Sequence, residues 1–205
     1  MKLMIAVPTM FFVNVNFAKS LANLCMELGR SGVDTDLEIM EGSMIYVSRD
    51  RLAWRAIQGG YTHVLWLDSD MSFEQDIVDS LMWSGKDMVC GAFCSRKPPY
   101  SPCVYESIRD PENMVKVKHF GIEPFRVDGC GMAAVLTSVK LLRDVWNRFD
   151  TCFMPTEKIR GEDIAFCDRV NQLGYEIWCE PTVRPGHTAH IEVRAGEEPN
   201  GGRSE

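Results

Sequence analysis

Tyr61-Thr62-His63-Val64-Leu65-Trp66-Leu67-Asp68-Ser69-Asp70-Met71-Ser72 is the stretch whose reading decides the fold class. It follows a Gly59-Gly60 break, and its apolar run over 64–67 has no polar alternation. Such a run reads as a strand buried on both faces, as at the centre of a parallel sheet. Two carboxylates stand at its end. Residues two apart on a strand share a face, so Asp68 and Asp70 are expected to converge past the carboxyl edge of the sheet. That edge is where open α/β sheets bind ligands. Two ionised carboxylates a few Å apart are tolerated with a divalent cation or solvent between them. The alternative task for one of them is to cap the next helix. Ser72-Phe73-Glu74-Gln75, however, reads as a capping box ahead of Ile77, Val78, Leu81 and Met82, which leaves both aspartates without a structural task. A short Asp-x-Asp match arises often by chance, so metal binding and a structural role both stay open on local sequence.

Upstream, residues 2–7 form an apolar strand, and 13–28 carry Phe17, Leu21, Leu24, Cys25 and Leu28 at helical spacing up to Gly29. The connection Pro8-Thr9-Met10-Phe11-Phe12 has neither the glycines nor the lysine of a P-loop or dinucleotide fingerprint. A second strand is expected over 37–40 and a second helix over 44–57, with Val47, Ala53, Ala56 and Ile57 inward. After the Asp68/Asp70 strand come a helix ending near Ser84-Gly85 and a strand over 88–93. Strands alternating with helices predict right-handed crossovers and a parallel sheet.

Downstream, Pro98-Pro99, Pro102 and Pro111 mark a loop-rich insertion, and Met114-Val115-Lys116-Val117-Lys118 alternates as a half-exposed strand does. This insertion is expected to meet a second substrate. Strands over 125–127 and 132–137 flank Asp128-Gly129-Cys130-Gly131, whose glycines fit either a close approach by a ligand or a plain turn or bulge. Ser138 is expected to cap a helix with Leu141, Leu142, Val145, Trp146 and Phe149 inward. Gly161-Glu162-Asp163 opens another helix. Acidic residues in a first turn are commonplace, and the same dipole keeps a carboxylate ionised, as a general base requires. A last strand over 176–179 leads to Pro185-Gly186-His187, where His187 reads as an exposed polar residue or a metal ligand. One domain is expected over 1–194, with a disordered Gly- and Glu-rich tail over 195–205.

The 205 residues are 45% hydrophobic and 25% charged, the composition of a globular chain able to bury roughly 70% of its unfolded surface. A net charge of -7 gives no broad attraction to nucleic acid or anionic membrane. No stretch has the length of a membrane span, and Pro8 comes too early for a secretory apolar region. A cytoplasmic protein is expected. Its eight cysteines contain no Cys-x-x-Cys pair and read as small hydrophobes in a reducing compartment.

Several of these signals share an order with a known family. The chain resembles nucleotide-sugar glycosyltransferases of the A-type fold, nearest to family 2 and to the short glycosyltransferase-like proteins of phages. Val47-Ser48-Arg49-Asp50-Arg51-Leu52-Ala53 stands where that family has an Ala-Arg-Asn segment, with Asp50 in place of the Asn. Asp68-Ser69-Asp70 matches its Asp-x-Asp, Glu162-Asp163 its Glu-Asp motif, and His187 its late metal-binding His. The resemblance runs from about residue 3 to about residue 190. It implies a Rossmann-like, mostly parallel central sheet flanked by helices, with a small antiparallel insertion. It also implies Mn²⁺ or Mg²⁺ held by Asp70, His187 and Asp68, and a donor pocket lined by Pro8, Thr9, Arg49, Asp50, Asp68 and Ser69. Arg49 is expected to be an exposed helix residue. Asp163, or Glu162 in its place, would activate the acceptor hydroxyl, with inversion at the anomeric carbon. A UDP-sugar is the expected donor; the acceptor classes are glycan, small molecule, protein or modified nucleic acid.

Two rivals remain. A haloacid dehalogenase-like phosphohydrolase would use Asp68 as nucleophile, but that family places its nucleophile after the first strand. A non-catalytic nucleotide-sugar-binding module would keep the fold without Glu162, Asp163 and His187 all being needed.

Overall fold

The computed structural model describes residues 1–42, 44–159 and 161–189; the tail expected over 195–205 lies outside them. In chain order the elements are β1 Lys2–Thr9, α1 Val15–Arg30, β2 Asp34–Glu41, α2 Ile45–Gln58, β3 His63–Leu67 and β4 Met71–Ser72. They continue with α3 Ile77–Met82, β5 Met88–Gly91, β6 Val104–Ser107, β7 Val115–Lys116, β8 Phe125–Val127 and β9 Gly129–Cys130. Last come β10 Ala134–Ser138, α4 Val139–Phe149, α5 Glu162–Gln172, β11 Ile177–Glu180 and β12 Gly186–His187.

A seven-stranded sheet in the order β2-β1-β3-β10-β5-β11-β8 forms the middle layer. β2, β1, β3, β5 and β11 run in one direction, while β10 is antiparallel to β3 and β5, and β8 to β11. The mostly parallel sheet that the resemblance implies is therefore present, and β10 and β8 depart from the parallel sheet that the alternating pattern predicts. β3 lies inside it, and its side chains feed two cores. Val64 and Trp66 pack with Leu52, Ala53, Leu142 and Phe166 from α2, α4 and α5, whereas Leu65 and Leu67 pack with Phe17, Leu21, Val78 and Leu81 from α1 and α3. An element buried on both faces needs no polar alternation, which is why its sequence shows none.

Local chemistry sets the helix ends. Asn14 caps α1 by accepting from Asn16 N at 2.8 Å, and Ser138 caps α4 by accepting from Leu141 N at 3.1 Å, as its sequence predicts. The Ser72 capping box does not form. Ser72 instead belongs to β4, which pairs with β12 through Gly186↔Ser72 and His187↔Met71, and α3 begins at Ile77 behind Asp76, which makes no side-chain cap. Tertiary pairing outcompetes the local cap here, and the same pairing delivers His187 to the end of β3.

The insertion folds as the antiparallel sheet β7-β6-β9. Its Val104, Ile108, Val117 and Cys130 join the core beneath α5. The two glycines around Cys130 serve packing: a Cβ on Gly129 would stand 2.9 Å from Ile108, and one on Gly131 3.0 Å from Phe93. The Ile108 and Phe93 side chains give a packing reason for glycine at both positions.

Candidate active site

The carboxyl ends of β1 and β3 open into a cleft of about 710 Å³, bordered by Pro8, Arg49, Asp68, Ser69, Asp70, Arg96, Glu162, Asp163 and His187. This volume lies within the range of small-molecule sites. Eight residues singled out from sequence meet there. Thr9 and Asp50 do not line it.

Asp68 and Asp70 reach the cleft by a different route from strand alternation. Met71 N donates to Asp68 O at 3.1 Å, closing a turn directly after β3. The turn aims the two carboxylates at different partners. Asp68 Oδ1 accepts from the Arg49 guanidinium at 2.7 Å, and Asp70 accepts from Arg96 and faces His187 Nε2 at 3.3 Å. Neither aspartate is without a partner, and Asp68 does not join Asp70 and His187. Among the described residues, no three His, Cys, Asp or Glu side chains converge to hold a metal ion.

Arg49 is only 2% exposed, not the exposed helix residue its charge suggested. The buried stripe of α2 is Ser48, Arg49, Leu52, Ala53 and Ala56, a 3.6-residue period whose first turn meets the sheet at its carboxyl edge. The guanidinium donates to Asp68 on one side and to Asp163 on the other, lies 5.9 Å from the Phe153 ring, and leaves its buried Nε unpartnered. Burial opposes the charge on Arg49, but Asp163, Asp68 and Glu162 together hold its pKa above the ordinary value.

Asp163 stands in the first turn of α5 beside Glu162. Burial pushes its carboxyl up to about 7; Arg49 pulls the other way, and Glu162 and Asp68 add to the rise. The helix dipole does not keep it at an ordinary carboxylate value, because desolvation and two neighbouring carboxylates outweigh a terminal dipole. Its side chain stays 30% exposed to the cleft. A carboxylate tuned near neutrality and open to a ligand is suited to proton abstraction.

The His187 ring is oriented from both ends. Nδ1 lies 3.0 Å from the Cys94 carbonyl, which can only accept, so Nδ1 carries hydrogen and Nε2 is directed to Asp70. The hydrogen bond to Asp70 lifts the His187 pKa against the effect of burial. Burial alone would raise Asp70, but His187 and Arg96 hold it below its ordinary value. A backbone carbonyl fixing one ring nitrogen is the usual support of a metal-binding His, so Asp70 and His187 are chemically fit to hold a divalent cation as a pair.

Thr9 sits behind the cleft, tied to Ser69 at its border. Ser69 Oγ donates to Thr9 Oγ1 at 3.1 Å, and Thr9 Oγ1 donates to Phe12 O at 3.0 Å, which ties the loop after β1 to the turn after β3. Asp50 turns to the far side of α2, where it accepts from Cys152 N at 2.8 Å, Phe153 N at 2.7 Å and Thr151 Oγ1. Its carboxylate is committed to the loop after α4. Arg96 was not foreseen, since a lone Arg ahead of Pro98-Pro99 has no pattern to mark it.

No family model matches the chain, and no curated protein matches it by sequence. Solved structures do. The crystal structure of A197 from STIV superposes with a TM-score of 0.65 at 17% identity, covering 93% of this chain and 87% of that one. The fold is glycosyltransferase-like. The crystal structure of GalNAc-T7 with UDP, GalNAc and Mn²⁺ superposes with a TM-score of 0.58 at 9% identity, covering 97% of this chain. The chain spans 45% of that protein.

Proposed function

We propose that this chain is a metal-dependent glycosyltransferase that moves a sugar from a nucleoside diphosphate sugar, a UDP-sugar by preference, to an acceptor hydroxyl with inversion. The observation that carries this reading is the opposition, across one cleft, of the Asp70–His187 pair and the cleft-facing Asp163 whose pKa is near neutral. The complex of GalNAc-T7 with UDP and Mn²⁺ on a similar fold supports the donor and the cation. Asp68, the nucleophile of the phosphohydrolase alternative, is engaged by Arg49.

Asp70 and His187 would hold the cation, which when bound would neutralise charge developing on the leaving diphosphate. Asp163 takes the proton of the acceptor hydroxyl as its oxygen forms the new bond to the anomeric carbon. The bond from that carbon to the diphosphate oxygen breaks on the opposite face. Arg49 holds Asp163 in place, and Glu162 keeps its carboxyl basic.

A thermal-shift panel of nucleotides and nucleotide sugars, with and without Mn²⁺, tests the reading. Stabilisation by UDP and UDP-sugars only in the presence of the cation is expected, followed by release of UDP on turnover and a product of inverted anomeric configuration by NMR. Tighter binding of a guanosine or cytidine diphosphate would reject the donor. Binding without nucleotide release for any acceptor would support the non-catalytic module.

A further inference from the structure

Arg96 is the cleft cation that the reading above leaves without a role. It projects from a hairpin loop that follows β5, closed by a Cys94↔Pro102 bridge and by Ser95 N donating to Ser101 O at 2.9 Å. The base of this hairpin is fixed on the site, since Cys94 O meets His187 Nδ1. The Arg96 side chain is 54% exposed, and among the described residues it pairs with Asp70, on the same Oδ2 that faces His187. A guanidinium and a divalent cation cannot share that oxygen without strong repulsion, because both are positive and lie within a few Å.

We propose that Arg96 is a counter-ion that exchanges places with the cation at Asp70: it neutralises Asp70 while the cation is absent, and once displaced binds the donor diphosphate. This rests on the glycosyltransferase reading of the cleft. A half-exposed ion pair of this kind contributes little stability, so its opening costs little. The planar fork of Arg suits two phosphate oxygens as well as it suits a carboxylate, and its three-methylene stem lets the head move while the hairpin stays closed. Arg49 cannot do this, since it is buried and held on two sides. One residue thereby makes cation and diphosphate binding cooperative: the cation frees the group that grips the diphosphate.

The test is calorimetric titration of Mn²⁺ alone, and of UDP at saturating Mn²⁺, into the wild-type chain and Arg96→Gln. Removing the competing charge should tighten Mn²⁺ binding by about 3- to 30-fold. Removing the phosphate ligand should weaken UDP binding by about 10- to 100-fold. These opposite signs are the signature, and a general loss of structure would lower both affinities; Arg96→Lys, which keeps the charge, should restore weak Mn²⁺ binding but only part of the UDP affinity. Unchanged or weaker Mn²⁺ binding by Arg96→Gln overturns the exchange, as does unchanged UDP binding. A wild-type chain that binds neither Mn²⁺ nor UDP overturns the glycosyltransferase reading as well.

Discussion

Arg49 and Asp163, 114 residues apart in sequence, are joined by a direct ion pair, and the second arm of the same guanidinium holds Asp68. The proposed base and the carboxylate that follows β3 are therefore fixed relative to one another by one buried side chain.

Removing that side chain should cost stability as well as function. Arg49→Ala leaves Asp68 and Asp163, each about 30% exposed, without their cation, and opens a space beside Phe153. A loss of about 1–3 kcal/mol is expected, reduced from the fully buried case because both partners touch solvent. Urea unfolding measures it. A midpoint equal to wild type would show that the guanidinium is held by the fold without stabilising it.

Asp163, as the proposed base, is expected to set the pH dependence of turnover. A base must be deprotonated, so kcat/KM should rise with pH through a midpoint near 7, the value to which burial lifts this carboxyl. Asp163→Asn should lower turnover by about 10²–10⁴-fold while leaving UDP affinity nearly unchanged. The stability effect has the opposite sign. A carboxyl raised on folding favours the folded state when protonated, so its contribution is lost as pH rises from the ordinary carboxylate range towards 7, and Asp163→Asn should flatten that decline. An Asp163→Asn enzyme with normal turnover, alongside an inactive Glu162→Gln, would move the base to Glu162.

Cation binding should weaken in acid. His187 is raised by Asp70, so at low pH Nε2 carries a proton that a metal must displace. Mn²⁺ affinity should increase with pH through a midpoint above the ordinary histidine value, with proton release seen as a buffer-dependent heat. The apo ion pair behaves conversely: the His187 contribution is present below its ordinary value and fades as pH rises through its raised one. The Asp70 contribution fades as pH falls through its lowered one. His187→Ala and Asp70→Ala should each abolish Mn²⁺-dependent UDP binding without unfolding the chain. EDTA-resistant UDP binding by Asp70→Ala contradicts this.

Asp50 offers a control with the opposite outcome. Because it accepts three hydrogen bonds from residues 151–153, Asp50→Ala should destabilise by about 1–3 kcal/mol. UDP affinity, measured below the unfolding transition, should stay at the wild-type value.

Legibility followed how local each cause is. β3 could be read from four apolar residues because burial on both faces is written directly in composition, and Ser138 because a cap acts within three residues. Motif order singles out Asp70, His187 and Asp163, and the structure brings all three to one cleft. What escaped depended on contacts distant in sequence. The β4–β12 pairing cancelled a well-formed capping box at Ser72. Arg49 was misplaced because charge normally means exposure, and only the carboxylates of two remote segments make its burial tolerable. Arg96 reaches Asp70 across 26 residues, from a loop with no periodicity to read.

Anomalous diffraction at the manganese edge, from crystals grown with Mn²⁺ and UDP, tests the central claim most directly. The account predicts one manganese peak between Asp70 and His187 Nε2, with the diphosphate against it and Asp163 facing the open cleft. Manganese and nucleotide bound elsewhere on the surface, with His187 still hydrogen-bonded to Asp70, would contradict it.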